Sequence, residues 1–153
     1  MPGGGYPHVM TLRSRIVLIA FVVWTAFVWG NRISNTLRSD ESTGSKTFST
    51  VLSLVLLAFA LAVVVVVVKA WKGYIDGGGA KVLMTAAALT VVVWLVRVPM
   101  ILMADHGDKD PGFKIVHVGL GVVSVVLAAL VWQIGAVALR RGQGSDAMEG
   151  GRV

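Results

Sequence analysis

The sequence predicts an all-α membrane protein, in which four transmembrane helices form an up-down-up-down bundle made of two tandem helical hairpins. Three observations predict this fold class. Of the 153 residues, 56% are hydrophobic and only 14% are charged, whereas soluble domains average about 25% charged residues. Four apolar stretches are each long enough to cross a bilayer. The segments between them are short and rich in Gly, Ser and Asp.

Each apolar stretch reaches the length of about 20 residues that a helix needs to cross the hydrocarbon core. Within lipid every backbone amide needs a partner inside the protein, so a span is helical unless it belongs to a closed barrel. No stretch shows the period of two that is typical of barrel strands. The predicted spans are Ile16–Leu37, Thr47–Val68, Val82–Ala104 and Ile115–Leu139.

Short connections place successive helices side by side and antiparallel. The connections comprise residues 39–45, 73–79 and 105–112. The resulting transmembrane domain covers residues 16–139. The flanking segments, 1–15 and 140–153, lack apolar periodicity, so we expect a disordered head and a disordered tail.

Residue types that are missing exclude several classes of protein. The chain contains no cysteine, which excludes disulfide frameworks, thiolate metal sites and iron–sulfur clusters. No Asp, Glu, Lys or His lies at the middle of any predicted span. Because proton-coupled exporters need a titratable carboxylate there, this class is disfavoured.

Basic residues predict the orientation of the chain. Eight Lys and Arg residues flank the spans on one side, against four to six on the other. This bias predicts a multi-pass protein of the cell membrane with both termini in the cytoplasm. The eight are Arg13, Arg15, Lys69, Lys72, Lys81, Arg140, Arg141 and Arg152. These anchors account for most of the net charge of +6. No cluster of basic residues is interleaved with exposed aromatic residues, so the sequence does not predict nucleic-acid binding.

The sequence also resembles itself at an offset of 65 residues without a gap. Because Thr, Trp, Arg, Asp and Phe are scarce here, their matches carry the signal: Thr25 with Thr90, Trp29 with Trp94, Arg32 with Arg97, Asp40 with Asp105, and Phe48 with Phe113. This pattern predicts two copies of one hairpin, 16–68 and 81–133, related by an axis along the membrane normal.

The motif Trp29-x-x-Arg32, followed by an acidic loop and by Phe48 at the start of a Ser/Val/Leu-rich helix, resembles small uncharacterised actinobacterial integral membrane proteins. The second copy, with residues 112–117, resembles them more closely. The resemblance covers each hairpin and implies a fold and a membrane location, but no activity. The first copy has Leu52 where the second has His117, so His117 cannot have a role shared by both copies.

Arg32 and Arg97 are the candidate site residues, since a guanidinium is costly within hydrocarbon. Both lie near the outer ends of their spans. They can be snorkelling anchors, with Asp40 and Asp105 folding back as counter-ions. Alternatively, two guanidinium groups converge on an outward-facing anion site, for lipid phosphate or for the carboxylates of a partner.

A haem is a more remote interpretation. His117 begins the fourth span and His106 lies in the loop before it, so both lie near one membrane face. Haem held by two axial imidazoles needs the rings to face each other, whereas a histidine in a polar loop ordinarily bonds to water. The sequence therefore predicts neither a cofactor nor a metal.

Small residues recur at helical spacing on one face of the fourth span: Gly121, Ser124, Ala128 and Gly135. Small side chains allow helix backbones to approach closely. This face either packs inside the bundle or forms a surface for a homodimer or another membrane-protein partner.

These observations predict a non-enzymatic integral membrane protein of a bacterial cytoplasmic membrane. We expect an accessory or scaffold subunit, or a protein that interacts with membrane lipid. The alternative is a small transporter or channel that acts as an oligomer.

Overall fold

The computed structural model describes residues 10–40, 42–103 and 111–150, and within these ranges it contains four helices and no strand. All four helices are long and apolar enough to cross a membrane. This confirms the predicted fold class. The helices are α1 (Leu12–Arg38), α2 (Thr43–Lys69), α3 (Gly77–Met103) and α4 (Pro111–Gly150).

Polar caps set the starts of three helices. Thr11 caps α1 by accepting a hydrogen bond from the Ser14 amide at 3.2 Å, and Ser42 caps α2 in the same way through the Ser45 amide. The Asp76 carboxylate accepts from the Gly79 amide at 2.6 Å at the start of α3. A cap satisfies amides of the first turn that have no partner within the helix. The helices therefore begin about one turn before the apolar spans.

The predicted head and tail differ from the structure at their inner boundaries. Residues 12–15, predicted as part of a disordered head, form the first turn of α1. Residues 140–150, predicted as part of a disordered tail, continue α4 as helix. Once a helix exists, each added residue gains a backbone hydrogen bond, and polar Gln, Arg and Glu have good helix propensity. Residues 1–9 and 151–153 lie outside the described residues.

The helices form a four-membered ring. Each packs on its neighbours in the chain, and α1 also packs on α4, whereas the backbones of the diagonal pairs α1–α3 and α2–α4 do not touch. The contacts within each hairpin, α1–α2 and α3–α4, are more extensive than those between the hairpins. The bundle is thus two hairpins laid side by side.

One side chain from each helix fills the centre of the bundle. Leu18, Val63, Leu83 and Val131 are all 0% exposed. Many other large apolar side chains lie on the outer surface, among them Val23, Leu61 and Leu95, each more than 60% exposed. In a membrane this surface faces acyl chains, which are as apolar as the protein interior.

The small-residue face of α4 packs inside the chain. A Cβ atom added at Gly121 would lie 2.8 Å from Cε3 of Trp94 and 2.9 Å from Cγ2 of Val98. One added at Gly135 would lie 3.0 Å from the carbonyl oxygen of Ala80. Both glycines therefore allow α3 to approach α4 at this face.

The other two members of this face are also buried: Ala128 is 0% exposed and Ser124 is 4% exposed. Ser124 accepts a hydrogen bond from Nε1 of Trp24 at 2.9 Å, which links α1 to α4. Its own hydroxyl donates to the Leu120 carbonyl. The sequence left two interpretations of this face, packing within the bundle or a surface for a partner. In the structure the face packs within the bundle.

Glycine positions on α4 provide a matched test of this packing. We expect Gly121→Ala to destabilise the bundle by about 1–3 kcal/mol, because the new methyl group overlaps Trp94 and Val98. Gly119→Ala should leave stability unchanged or slightly raised, since an added Cβ there meets nothing within 4 Å. Thermal unfolding of both variants in detergent, followed by circular dichroism, measures the difference. Equal stability of the two variants would contradict the packing described.

Candidate anion site at the α1–α2 loop end

Two tryptophans are in contact across the centre of the bundle, near the end that carries the loop between α1 and α2. Trp29 of α1 is 3% exposed and Trp94 of α3 is 4% exposed. Their ring centroids lie 6.3 Å apart, with the planes inclined at 53°. Because α1 and α3 are diagonal partners, these rings bridge helices whose backbones do not touch.

Two further pairs of positions matched by the 65-residue offset have equivalent burial. Leu18 and Leu83 are each 0% exposed, and Thr25 and Thr90 are 5% and 4% exposed. The Trp29–Trp94 contact joins another matched pair. These equivalences support the interpretation of two hairpin copies around a central axis.

Arg97 lies beside the tryptophan pair. Its Cζ atom is 5.5 Å from the ring centroid of Trp29, and the side chain is half-buried. A guanidinium over an indole ring is attracted by about 0.5–1 kcal/mol at exposed sites and about 2 kcal/mol or more when desolvated. Arg97 thus reaches from α3 to a ring of α1, and it occupies the position that the 65-residue offset matches with Arg32.

Arg32, also half-buried, lies one turn beyond Trp29 on α1. Its Nη2 donates to Oγ of Ser49 on α2 at 3.1 Å, and Ser49 is 4% exposed. A helix rises about 1.5 Å per residue, so Asp40, eight residues further on, lies about 12 Å along the axis. The predicted counter-ion contact is not formed: Asp40 is exposed beyond the end of α1, and Arg32 binds the Ser49 hydroxyl instead. Asp105 lies outside the described residues.

Three buried polar atoms of this region have no hydrogen-bond partner among the described residues: Nε of Arg32, Oγ1 of Thr36 and Nε1 of Trp94. The two nitrogens are donors only. Leaving a buried donor without an acceptor costs about 1–3 kcal/mol, more when the group is charged. We call Trp29, Arg32, Ser49, Trp94 and Arg97 the Trp–Arg cluster. Its chemistry is that of a donor-rich, positively charged site.

His117 is engaged with its own helix. Its Nδ1 lies 2.8 Å from the carbonyl oxygen of Phe113, to which the protonated nitrogen donates. The ring centroids of the two side chains are 3.9 Å apart. His106 lies outside the described residues, and the described residues hold no group of three His, Cys, Asp or Glu side chains that could bind a metal ion. The haem interpretation thus gains no second ligand from this part of the chain.

No family model, curated protein or solved structure matches the chain. The resemblance to small actinobacterial membrane proteins therefore stays a prediction.

Ser49 tests whether the arginine contact stabilises the site. We expect Ser49→Ala to lower the free energy of unfolding by about 1–2 kcal/mol, because it leaves a half-buried guanidinium without its neutral acceptor. Ser34→Ala on α1 is the control, since Ser34 is exposed. Unfolding in mixed micelles by increasing SDS fraction measures both. A Ser49 variant as stable as the control would show that the hydrogen bond contributes nothing.

Proposed function

We propose that this chain is a non-enzymatic integral membrane protein of a bacterial cytoplasmic membrane that binds an anionic lipid headgroup at the Trp–Arg cluster. One observation carries the proposal: Arg32 and Arg97 lie within one turn of a buried tryptophan pair, and buried nitrogens of Arg32 and Trp94 have no acceptor among the described residues. Phosphate offers several acceptor oxygens, and a guanidinium group can bind two of them at once.

The burial of both arginines favours this proposal over simple anchoring. A snorkelling arginine extends its charged end away from the apolar interior toward water. Here Nε of Arg32 is buried, Nη2 binds a buried serine on the neighbouring helix, and Arg97 lies against a buried ring. Two positive charges held in this way favour an anionic occupant.

The depth of the cluster favours a lipid as the source of that anion. Arg32 lies six residues before the end of α1, and Arg97 lies six residues before the end of α3. At about 1.5 Å per residue, each Cα atom is about 9 Å from its helix end and so lies a few Å inside a hydrocarbon core of about 30 Å, from where a long side chain can reach the level of a headgroup phosphate. The bias of basic residues toward the opposite end favours a position of the cluster in the outer leaflet, with both termini in the cytoplasm.

The packed centre of the bundle favours lipid binding over conduction through a single chain. The fully buried layer of Leu18, Val63, Leu83 and Val131 crosses the axis of the bundle. A layer of packed apolar side chains leaves no open, water-filled ion pathway along this axis.

A lysine double variant tests the proposal. Phosphatidylglycerol should raise the melting temperature of the wild-type protein in detergent more than phosphatidylcholine does. We expect the Arg32→Lys/Arg97→Lys variant to lose a clear part of this difference, because lysine keeps the charge but cannot bind phosphate through two parallel hydrogen bonds. Melting temperatures of lipid-supplemented samples measure the effect.

The control is Arg38→Lys, which makes the same exchange at an exposed position in the last turn of α1. It should behave as wild type. If the double variant keeps the full preference for phosphatidylglycerol, Arg32 and Arg97 are anchors and the proposal is wrong.

A further inference from the structure

A groove lies at the opposite end of the bundle, where α2 leads into the loop before α3. It has a volume of about 380 Å³ and is lined by Val68, Lys69, Trp71 and Lys72. Both lysines are exposed, and Trp71 is 46% exposed. The lining therefore combines two cations with an apolar wall, and we call it the lysine groove.

A third cation is fixed beside the lysine groove. Nη2 of Arg15, on α1, donates to the Trp71 carbonyl oxygen at 2.8 Å, and Cζ of Arg15 lies 4.9 Å from the centroid of the Trp71 ring. Nε of Arg15 is buried and has no hydrogen-bond partner among the described residues. Arg15 therefore adds positive charge beside the groove and fixes Trp71, while its buried Nε is closed to an incoming ligand.

The start of α1 is held against the same loop. The amide of Met10 donates to the Gly73 carbonyl at 3.0 Å, and Met10 is 8% exposed. Together with the Arg15–Trp71 contact, this bond fixes α1 on the loop that carries the groove. The three cations therefore lie on a frame made of two helices rather than on a free loop.

The carboxylate of Asp76, in the same loop, offsets only one of these positive charges. Asp76 is engaged as the cap of α3, where it accepts from the Gly79 amide at 2.6 Å. In the described part of this end, further positive charge comes from Arg13 and Lys81, both exposed. An anion approaching the groove meets a net positive surface.

We propose that the lysine groove binds the phosphate of an anionic phospholipid, with Lys69 and Lys72 as its donors and Arg15 as a neighbouring positive charge that holds Trp71 in place. The apolar wall selects a lipid rather than a soluble phosphate, because Val68 and Trp71 continue into the exposed apolar surface of α2, which includes Val64 and Val65. An acyl chain can follow this surface while the phosphate meets the lysines. This site is independent of the Trp–Arg cluster, from which it lies a helix length away.

Native mass spectrometry of the full chain, released from detergent after incubation with phosphatidylglycerol, tests this site. Mass resolves the number of lipids on each chain, so we expect Lys69→Gln/Lys72→Gln to lose one bound lipid: from two to one where the Trp–Arg cluster is also occupied, and from one to none where it is not. The matched control is Arg13→Gln/Lys81→Gln, which removes two positive charges from the same end but outside the groove. It should retain as many lipids as wild type.

Equal losses in the two double variants would show diffuse attraction to a basic surface and would overturn the proposal, as would no loss in either. Inorganic phosphate is the competitor that distinguishes the two sources of phosphate. Displacement of the retained lipid by millimolar inorganic phosphate would overturn the choice of a lipid, whereas retention supports it. The same experiment on Arg32→Lys/Arg97→Lys reports the Trp–Arg cluster separately, so either site can fail alone.

Discussion

Moving a Leu or Val side chain from lipid into a protein interior gains little free energy, because acyl chains are as apolar as the interior. The stability of a bundle in lipid therefore depends on how closely its helix backbones approach each other. In this chain the most extensive contact between helices is that of α3 with α4, and Gly121 and Gly135 leave the room for it. At Gly121 the missing side chain leaves room for the Trp94 ring, which then reaches Trp29 across the bundle. The packing of one hairpin thus determines where the two hairpins meet.

Polar contacts then link the helices and the loop between the hairpins at three levels of the bundle. The Trp24–Ser124 hydrogen bond joins α1 to α4 within the membrane. The Trp–Arg cluster joins diagonal helices at one end, and Arg15 with Trp71 joins α1 to the loop after α2 at the other. An interhelical hydrogen bond in a membrane contributes only about 0.6 kcal/mol on average. Most of the stability of the bundle therefore comes from close packing, and the polar contacts add to it. Both candidate anion sites are places where these contacts leave a buried arginine donor unused.

The sequence allows the fold class to be predicted, because apolar length and short connections can be identified along a single chain. Arg32 and Arg97 could be identified in the same way, as charges within apolar spans. Ser49 could not, since its contact with Arg32 depends on the lateral register of α1 and α2. The Arg15–Trp71 contact was missed for the same reason. The continuation of α4 beyond Leu139 was missed because hydropathy marks the membrane-embedded part of a helix and not its end.

The close approach of α3 and α4 within one chain is the central claim, and a cysteine pair tests it most directly, since the chain has no cysteine of its own. A Cβ atom at Gly135 would lie 3.3 Å from Cβ of Leu83, close to the separation of about 3.5–4.5 Å found in disulfides. In oxidised membranes, Leu83→Cys/Gly135→Cys should form an intramolecular disulfide, while Leu83→Cys/Gly119→Cys should not. A disulfide-linked dimer through position 135, or no bond at all, would contradict this account of the bundle.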